Sequence, residues 1–274
     1  MAGLRARPPA VQGLFGPDTV TWRVNREAVL LAGGGRALVL QVCHPSVAAG
    51  VEQHSDYDID PWGRLYRTLD LTTKITFGSA ETSDRAARQL RGVHAHVHGT
   101  RPDGKHYDAR DPDLLLWVWA TLMESSLLVY TRYVRPLPIG DIRRYYEEQQ
   151  RFAVACGVPE GHWPDSYPEF MDYFNSTVSD VLHPTEDSRR IVDSVVRPDA
   201  PLPLRPVFEM LNLATTGLLP PVLRERLDLP WGPNRERLLA ASTAVIRRTL
   251  PLLPSLLREF PPARHASRRV RRAA

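Results

Sequence analysis

The spacing of hydrophobic residues predicts helices along most of the chain. Apolar residues recur every three or four positions, as on one face of an α-helix, and the strict alternation that indicates β-strands is nearly absent. Prolines and glycines fall mostly between these periodic stretches. The helices predicted in this way are 25–43, 61–77, 79–98, 113–132, 139–156, 166–182, 187–195, 206–214 and 234–259. We therefore predict an all-α fold consisting of a single globular multi-helix domain.

Local signals support several of these boundaries. Asn25 is the predicted N-cap of the first helix, Ser79 or Ser83 that of the third, and Asp111 that of the fourth, where Pro112 follows in the first helical position. The polar stretch 99–111 predicts a turn or a short hairpin. The predicted organisation is an N-terminal arm over residues 1–20, a helical domain over 21–260, and a basic, disordered tail over 261–274.

The run Gly33-Gly34-Gly35 falls inside the first predicted helix. Each glycine in a helix costs about 1 kcal/mol relative to alanine, so the run needs a reason. A phosphate-binding loop is disfavoured because no Lys-Ser/Thr pair follows and no strand precedes. The run instead favours the close approach of another backbone or of a flat cofactor.

Composition narrows the classes of function. The formal charge is +4, but five arginines lie in the last dozen residues, so the body is near neutral and no nucleic-acid partner is expected. With only two cysteines, Cys43 and Cys156, no disulfide framework is expected. The start of the chain has no signal-peptide pattern, and the apolar stretches are too short or too interrupted for a membrane span. These features predict a soluble, cytoplasmic protein.

A short histidine run is the first candidate for chemistry. It reads Val93-His94-Ala95-His96-Val97-His98. On a continuous helix His94 and His98 share a face and can chelate one metal ion, whereas His96 points nearly opposite. Alternatively, His94 is a hydrogen-bonded interior residue and the other two are solvated. No second two-histidine motif supports a zinc site.

A second candidate is Asp60-Pro61-Trp62-Gly63-Arg64-Leu65-Tyr66-Arg67-Thr68. Arg64, Arg67 and Thr68 lie three and four residues apart, hence on one helix face. Such a face is either solvated or binds carboxylates or a polarised ligand. Upstream polar residues that can reach the same pocket, or lie at the surface, are His44, Glu52, His54 and Asp56.

The apolar run 114–121 predicts mainly core packing. Trp119, Thr121 and Ser125 can also line a cavity, although aromatic residues at helical spacing are more often packing residues.

Taken together, these motifs resemble the family that includes the latex-clearing proteins (rubber oxygenases) and the mycophenolic-acid-pathway oxygenase. The resemblance covers roughly residues 20–250. The matching segments are Gly50-Val51-Glu52-Gln53-His54-Ser55, Pro61-Trp62-Gly63-Arg64-Leu65-Tyr66-Arg67-Thr68, Thr76-Phe77-Gly78, Val93-His94-Ala95-His96-Val97-His98-Gly99, Asp103-Gly104-Lys105-His106-Tyr107 and Asp111-Pro112-Asp113-Leu114-Leu115-Leu116-Trp117-Val118.

The resemblance implies an all-helical fold that holds haem b. His94 matches the proximal iron ligand, and Arg64, Arg67 and Thr68 match an arginine, a lysine and a threonine on the distal side. Arg67 departs from that lysine; a guanidinium keeps its proton and is a very poor ligand, so the distal position is expected to be open or water-bound. Glu52 is the nearest match to a distal carboxylate base, although its spacing from Arg64 differs. Trp119 stands where many relatives have a histidine, which implies a residue of the cofactor pocket.

The resemblance thus implies a haem b-dependent oxygenase. Dioxygen would bind the iron opposite His94 and react with a small apolar substrate, with electrons from a redox partner. Two alternatives stay open: a non-catalytic protein that binds haem or an apolar ligand, and a non-haem metal protein that uses His94 and His98, joined by Glu52 or His54.

Overall fold

The computed structural model describes residues 13–55, 61–197 and 202–273, with the side chains of 61–66 left out. Within these ranges it is almost wholly helical, with one two-stranded sheet. The predicted all-α, single-domain fold is confirmed. The α-helices are α1 (Val20–Asn25), α2 (Gly34–Val42), α3 (Pro45–His54), α4 (Pro61–Phe77), α5 (Ala80–His94), α6 (Pro112–Val129), α7 (Ile139–Cys156), α8 (Tyr167–Ser176), α9 (Glu186–Val196), α10 (Arg205–Leu218), α11 (Pro221–Arg226), α12 (Pro233–Thr249), α13 (Ser255–Arg258) and α14 (Pro261–Ala273).

Shorter elements extend or connect these helices. The 3-10 turns are Ala28–Gly33, Leu202–Leu204 and Leu250–Leu252, the π-helical turns are Tyr130–Val134 and Thr177–Val181, and the strands are β1 (His98–Thr100) and β2 (His106–Asp108). The two strands pair antiparallel, with Gly99 opposite Tyr107, so the predicted hairpin is confirmed.

Helix α6 runs through the core and contacts α1, α2 and α7. It begins as predicted, with the Asp111 carboxylate accepting a hydrogen bond of 2.9 Å from the Asp113 N–H and with Pro112 following the cap. By length and hydropathy alone, one continuous stretch of the described chain, Pro112–Val134, qualifies as a membrane span, and so does the bent pair Ala28–Val42 with Pro45–His54. Since 67% of the apolar window of Pro112–Val134 is buried inside the protein, this stretch is typical of a core helix.

The glycine run lets α2 lie close to α6 and α10. A Cβ built on Gly35 would lie 2.3 Å from Thr215 Oγ1 of α10, and one on Gly33 would lie 2.9 Å from Val129 Cγ2 of α6. A Cβ on Gly34 meets nothing within 4 Å. The predicted close approach is confirmed, and the approaching groups are neighbouring helices.

The prediction of one helix over 25–43 with Asn25 as N-cap is wrong. Asn25 is the last residue of α1, and a 3-10 turn precedes α2. The chain bends at Glu27, whose side chain is only 1% exposed and accepts hydrogen bonds of 2.8 Å from both Nε and Nη2 of Arg258. The Glu27 backbone also forms an isolated bridge with Glu259. These long-range contacts outweigh the local helical pattern.

The C-terminal residues are also ordered differently from the prediction. Residues 234–259 form α12, a 3-10 turn and α13 rather than one helix, because Pro251 and Pro254 interrupt the helical hydrogen bonds. The prediction of a disordered tail is wrong: α14 packs on α4, with Ala263 and Ala266 fully buried. Of the predicted N-terminal arm, residues 1–12 lie outside the described part, and Phe15 is buried in the core.

Candidate functional site

Helices α4 and α5 are joined by only two residues and pack against each other. Ser79 caps α5 by accepting a hydrogen bond of 3.2 Å from the Thr82 N–H, as predicted. Gly78 is required at the turn, since a Cβ there would lie 2.3 Å from the Lys74 carbonyl oxygen. Arg64 precedes the end of α4 by 13 residues and His94 is the last residue of α5, so both lie roughly 20 Å from this turn along their helices.

The exposed part of α4 carries two of the predicted distal residues. The helix is fully buried near its C-terminal end, around Ile75 and Phe77, whereas Arg67 and Thr68 are exposed. The backbone of Arg64 is helical, but its side chain lies outside the described part of the chain. The predicted shared face of Arg64, Arg67 and Thr68 therefore rests on the helical backbone over Pro61–Phe77, which is confirmed.

His94 is half-buried at the C-terminal end of α5. Burial lowers the pKa of its imidazole below the usual value, so the ring is neutral at pH 7. Within the described part of the chain its ring nitrogens have no hydrogen-bond partner. A neutral imidazole with an uncommitted nitrogen has the chemistry that an iron ligand requires.

Three other histidines use a ring nitrogen in a hydrogen bond. Nδ1 of His44 accepts from the Ser46 N–H at 3.3 Å and caps α3, and burial together with the nearby Arg101 lowers the His44 pKa to about 4. Nε2 of His54 lies 3.1 Å from the His98 carbonyl oxygen, and Nδ1 of His96 lies 2.9 Å from that of Gly92. These contacts set His94 apart from His44, His54 and His96.

The predicted helical pairing of His94 with His98 is wrong. Helix α5 ends at His94 rather than at 98, and His98 begins strand β1 opposite Asp108. The backbone leaves the helix because the hairpin takes over its hydrogen bonds: the Ala109 N–H donates to the Val97 carbonyl at 2.8 Å. The two imidazoles therefore do not share a helix face.

The hairpin is anchored on α3 by residues that sequence reasoning missed. Gln53 donates to the Thr100 carbonyl at 3.0 Å and accepts from the Tyr107 hydroxyl at 2.8 Å. A Cβ on Gly99 would lie 2.7 Å from Gln53 Oε1 and 2.9 Å from the Tyr107 hydroxyl oxygen, so a larger residue would displace this hydrogen-bonded pair. Gln53, Gly99 and Tyr107 all occur in the quoted motifs. The glycine was the sequence signal that a side chain approaches the backbone closely at this position.

Glu52, the predicted distal base, lies on α3 with its carboxylate 2.9 Å from Nη2 of Arg190 on α9. Its side chain is 29% exposed. The described contacts do not bring Glu52 together with His94 or Arg67, so its catalytic role stays a prediction.

Trp119, the predicted pocket residue, is 1% exposed in an aromatic cluster with Tyr146 of α7 and Phe170 of α8. Its indole N–H donates to the Gln149 carbonyl at 3.1 Å. The indole therefore has no donor left for a cofactor, and any contribution to a pocket stays a prediction.

Thr121 and Ser125 belong to a buried polar network between α2 and α6. Arg36, 3% exposed, pairs with Glu124 and donates to Ser125 Oγ at 2.6 Å and to the Leu218 carbonyl at 2.7 Å. Thr121 Oγ1 accepts from Gln41 Nε2 at 2.9 Å. Both hydroxyls are thus used in holding helices together. Sequence reasoning missed Arg36, for which the adjacent glycine run was the available signal.

The side chains described above can be compared with what two kinds of metal centre need: a metal ion held by protein ligands alone, and a haem iron. Among the described residues no group of three or more His, Cys, Asp or Glu side chains is placed to hold a metal ion. A haem iron takes four nitrogens from the porphyrin and needs one strong protein ligand, which matches a single neutral imidazole at His94. His94 therefore fits the single protein ligand that a haem iron needs.

Comparisons with known proteins agree with the motifs. The family model described as "ER-bound oxygenase mpaB/B'/Rubber oxygenase, catalytic domain" matches residues 22–248. An uncharacterised protein of Mycobacterium tuberculosis and one of Mycobacterium bovis are each 30% identical over 229 residues, covering 79% of this chain and 87% of theirs. No solved structure matches. The chain therefore belongs to the family of mpaB and rubber oxygenase catalytic domains.

Proposed function

We propose that this protein is a haem b-dependent oxygenase in which His94 would hold the haem iron. The observation that carries the proposal is the state of His94, which is half-buried, neutral and without a partner in the described part of the chain. Membership of a family of oxygenase catalytic domains supports the reaction class.

Bound haem would supply the activation of dioxygen. The residues of the chain hold and orient the reactants. His94 offers a ring nitrogen from the end of α5. Arg67 and Thr68 carry N–H and O–H donors on the exposed part of α4, and Arg64 lies one turn before them. Such donors stabilise a polarised or negatively charged ligand. Glu52 is the proposed base.

We further propose that the substrate is a small apolar organic molecule, that a redox partner supplies electrons, and that the protein acts in the cytoplasm. A site for a substrate without charges takes its specificity from shape and apolar contact.

The test is an absorption spectrum of protein purified from haem-replete cells, beside His94→Ala. We expect a Soret band in the wild type that His94→Ala loses. His96→Ala and His98→Ala are matched controls, since both imidazoles are exposed neighbours in the same run, and both should keep the band. Retention of haem by His94→Ala, or its loss in His98→Ala instead, contradicts the assignment.

Two further measurements separate the alternatives. Dioxygen consumption by the haem-loaded protein with reductant and apolar substrates separates an oxygenase from a haem carrier, which would show a Soret band but no consumption. Metal analysis with porphyrin extraction separates both from a non-haem metal protein, which would contain metal without porphyrin.

A further inference from the structure

The C-terminal part of the chain has a charge opposite to that of the rest. Residues 247–273, here called the basic segment, contain eight arginines and one acidic residue, Glu259, hence a formal charge of +7. The whole chain carries +4, so the remainder carries −3. The family match ends at residue 248, so all of the basic segment except its first two residues lies outside that match.

The basic segment also exposes a group of leucines. Leu252 is 81% exposed, Leu256 65%, Leu257 64% and Leu253 39%. They lie within six residues: Leu252 ends the 3-10 turn Leu250–Leu252, Leu253 follows it, and Leu256 and Leu257 lie on α13, so they are close together. Exposed large apolar residues are unremarkable when scattered, whereas a local group indicates an interaction surface.

Arginines lie on both sides of this leucine group. Arg247 and Arg248 occupy the last turn of α12, just before it. After it, Nη1 of Arg264 donates to the Leu256 carbonyl at 2.7 Å, which holds that guanidinium beside the leucines. Arg258 is not counted among these flanking arginines, because its guanidinium pairs with the buried Glu27.

Helix α14 adds a cationic cavity to the same segment. His265, Arg268, Arg269 and Arg272 line an open cavity of about 510 Å³. These positions repeat every three or four residues, so they share one helix face, while Ala263 and Ala266 pack inward. Arg269 also donates to the Phe77 carbonyl at 2.6 Å, which ties this face to the end of α4.

We propose that the basic segment docks the protein onto a lipid bilayer with anionic headgroups. The four leucines enter the upper acyl region, the arginines lie against headgroup phosphates, and the α14 cavity takes one of these phosphates. Leucines flanked by arginines combine the apolar burial and the charge attraction that hold peripheral proteins on anionic membranes. A nucleic acid would neutralise the arginines but leave the leucines in water.

A symmetric dimer through this surface is disfavoured, because it would place two segments of charge +7 against each other. Docking is independent of haem, but it bears on the proposed oxygenase. Since α14 packs on α4, the helix of Arg67 and Thr68 would lie next to the bilayer, where apolar molecules concentrate.

The experiment is flotation of the full-length protein with vesicles of phosphatidylcholine alone, or mixed with about one-third phosphatidylglycerol. We expect binding to the anionic vesicles only, and its loss in high salt, since the Debye length falls from about 10 Å at 0.1 M to about 3 Å at 1 M. Arg268→Ala/Arg272→Ala should weaken binding roughly 25-fold, about fivefold for each arginine. Arg143→Ala/Arg151→Ala on α7 removes the same charge outside the segment and should change binding little.

A second pair of variants tests the leucines. Leu252→Ser/Leu256→Ser should lower vesicle binding by tenfold or more, whereas Leu202→Ser/Leu238→Ser, at positions 74% and 55% exposed elsewhere, should not. The proposal is overturned by equal binding to both vesicle types, by equal loss in the control variants, or by no vesicle binding. Two other outcomes also overturn it. One is that the protein binds duplex DNA and that its vesicle binding is weakened by the arginine variants but not by the leucine variants. The other is that the leucines hold together a dimer that does not bind vesicles.

Discussion

Replacing Gly35 and Gly34 by alanine, one at a time, should change stability in opposite directions. Gly34 is exposed, has helical backbone angles and has open space where a Cβ would be. Alanine there restricts the unfolded chain without a clash and should raise the free energy of unfolding by about 0.4–1 kcal/mol. The two positions are adjacent in sequence, so each serves as the control for the other.

At Gly35 the new Cβ would lie 2.3 Å from Thr215 Oγ1, 3.1 Å from its Cγ2 and 3.2 Å from its Cβ. Rotating Thr215 can move Oγ1 but not Cβ, and this side chain is only 4% exposed between packed helices. Helices α2 and α10 must therefore separate slightly. Overpacking of this kind lowers the free energy of unfolding by about 1–3 kcal/mol.

Urea unfolding followed by far-ultraviolet circular dichroism measures both changes. The midpoint should rise for Gly34→Ala and fall for Gly35→Ala with an unchanged slope, and Gly35→Ala/Thr215→Ala should recover part of the loss. A Gly35→Ala protein as stable as the wild type would refute the packing argument. If it were equally stable yet lost haem, the glycine run would face a flat cofactor instead of α10.

Two further predictions concern the half-buried His44 and the buried Glu27. His44 has a pKa of about 4 when folded, below its usual 6.5, so the unfolded chain binds more protons between these two values. The contribution of His44 to stability should therefore fall as pH drops from 6.5 to 4 and be constant above pH 6.5. His44→Asn keeps an N-cap acceptor and should remove up to about 3 kcal/mol of this dependence, measured as the difference between urea titrations of variant and wild type. Arg258→Ala leaves the buried Glu27 carboxylate with only the longer contact to Arg26 Nε, at 3.9 Å, and should cost about 3 kcal/mol in urea unfolding, the lower end for breaking a buried pair. The exposed pair of Arg85 is the control, and a cost at Arg258 no larger than that of Arg85→Ala would show that the burial of Glu27 is unimportant.

The parts of the fold that the sequence predicted depend on local chemistry. Ser79 and Asp111 cap their helices through hydrogen bonds to residues two or three positions away, and Pro61–Phe77 and Ile139–Cys156 were bounded by nearby prolines and glycines. Periodicity and capping act within one or two turns, so a single sequence contains the whole signal.

The missed features depend on distant partners. The break at Glu27 needs Arg258, 231 residues away, and the end of α5 at His94 needs strand pairing with residues 106–108. The order of α14 follows from two alanines that fit against α4, which an Arg- and Ala-rich composition does not reveal. At the site, the sequence motifs predicted which residues are candidates. That the ring nitrogens of His94 have no hydrogen-bond partner in the described part of the chain, unlike those of His44, His54 and His96, required the structure.

Arg67 offers the sharpest test of how the proposed haem would be held. A guanidinium keeps its proton and cannot ligate iron, whereas a deprotonated lysine amine can. If haem binds to His94 as proposed, Arg67→Lys should convert an open or water-bound iron into an amine-ligated one as pH rises, with a shift of the Soret band that the wild type lacks. Arg67→Met, of similar length but without a titratable group, is the control for the pH dependence. An Arg67→Lys spectrum that follows the wild type at every pH would mean that residue 67 does not reach the iron, and the distal face would then have to be built from another helix.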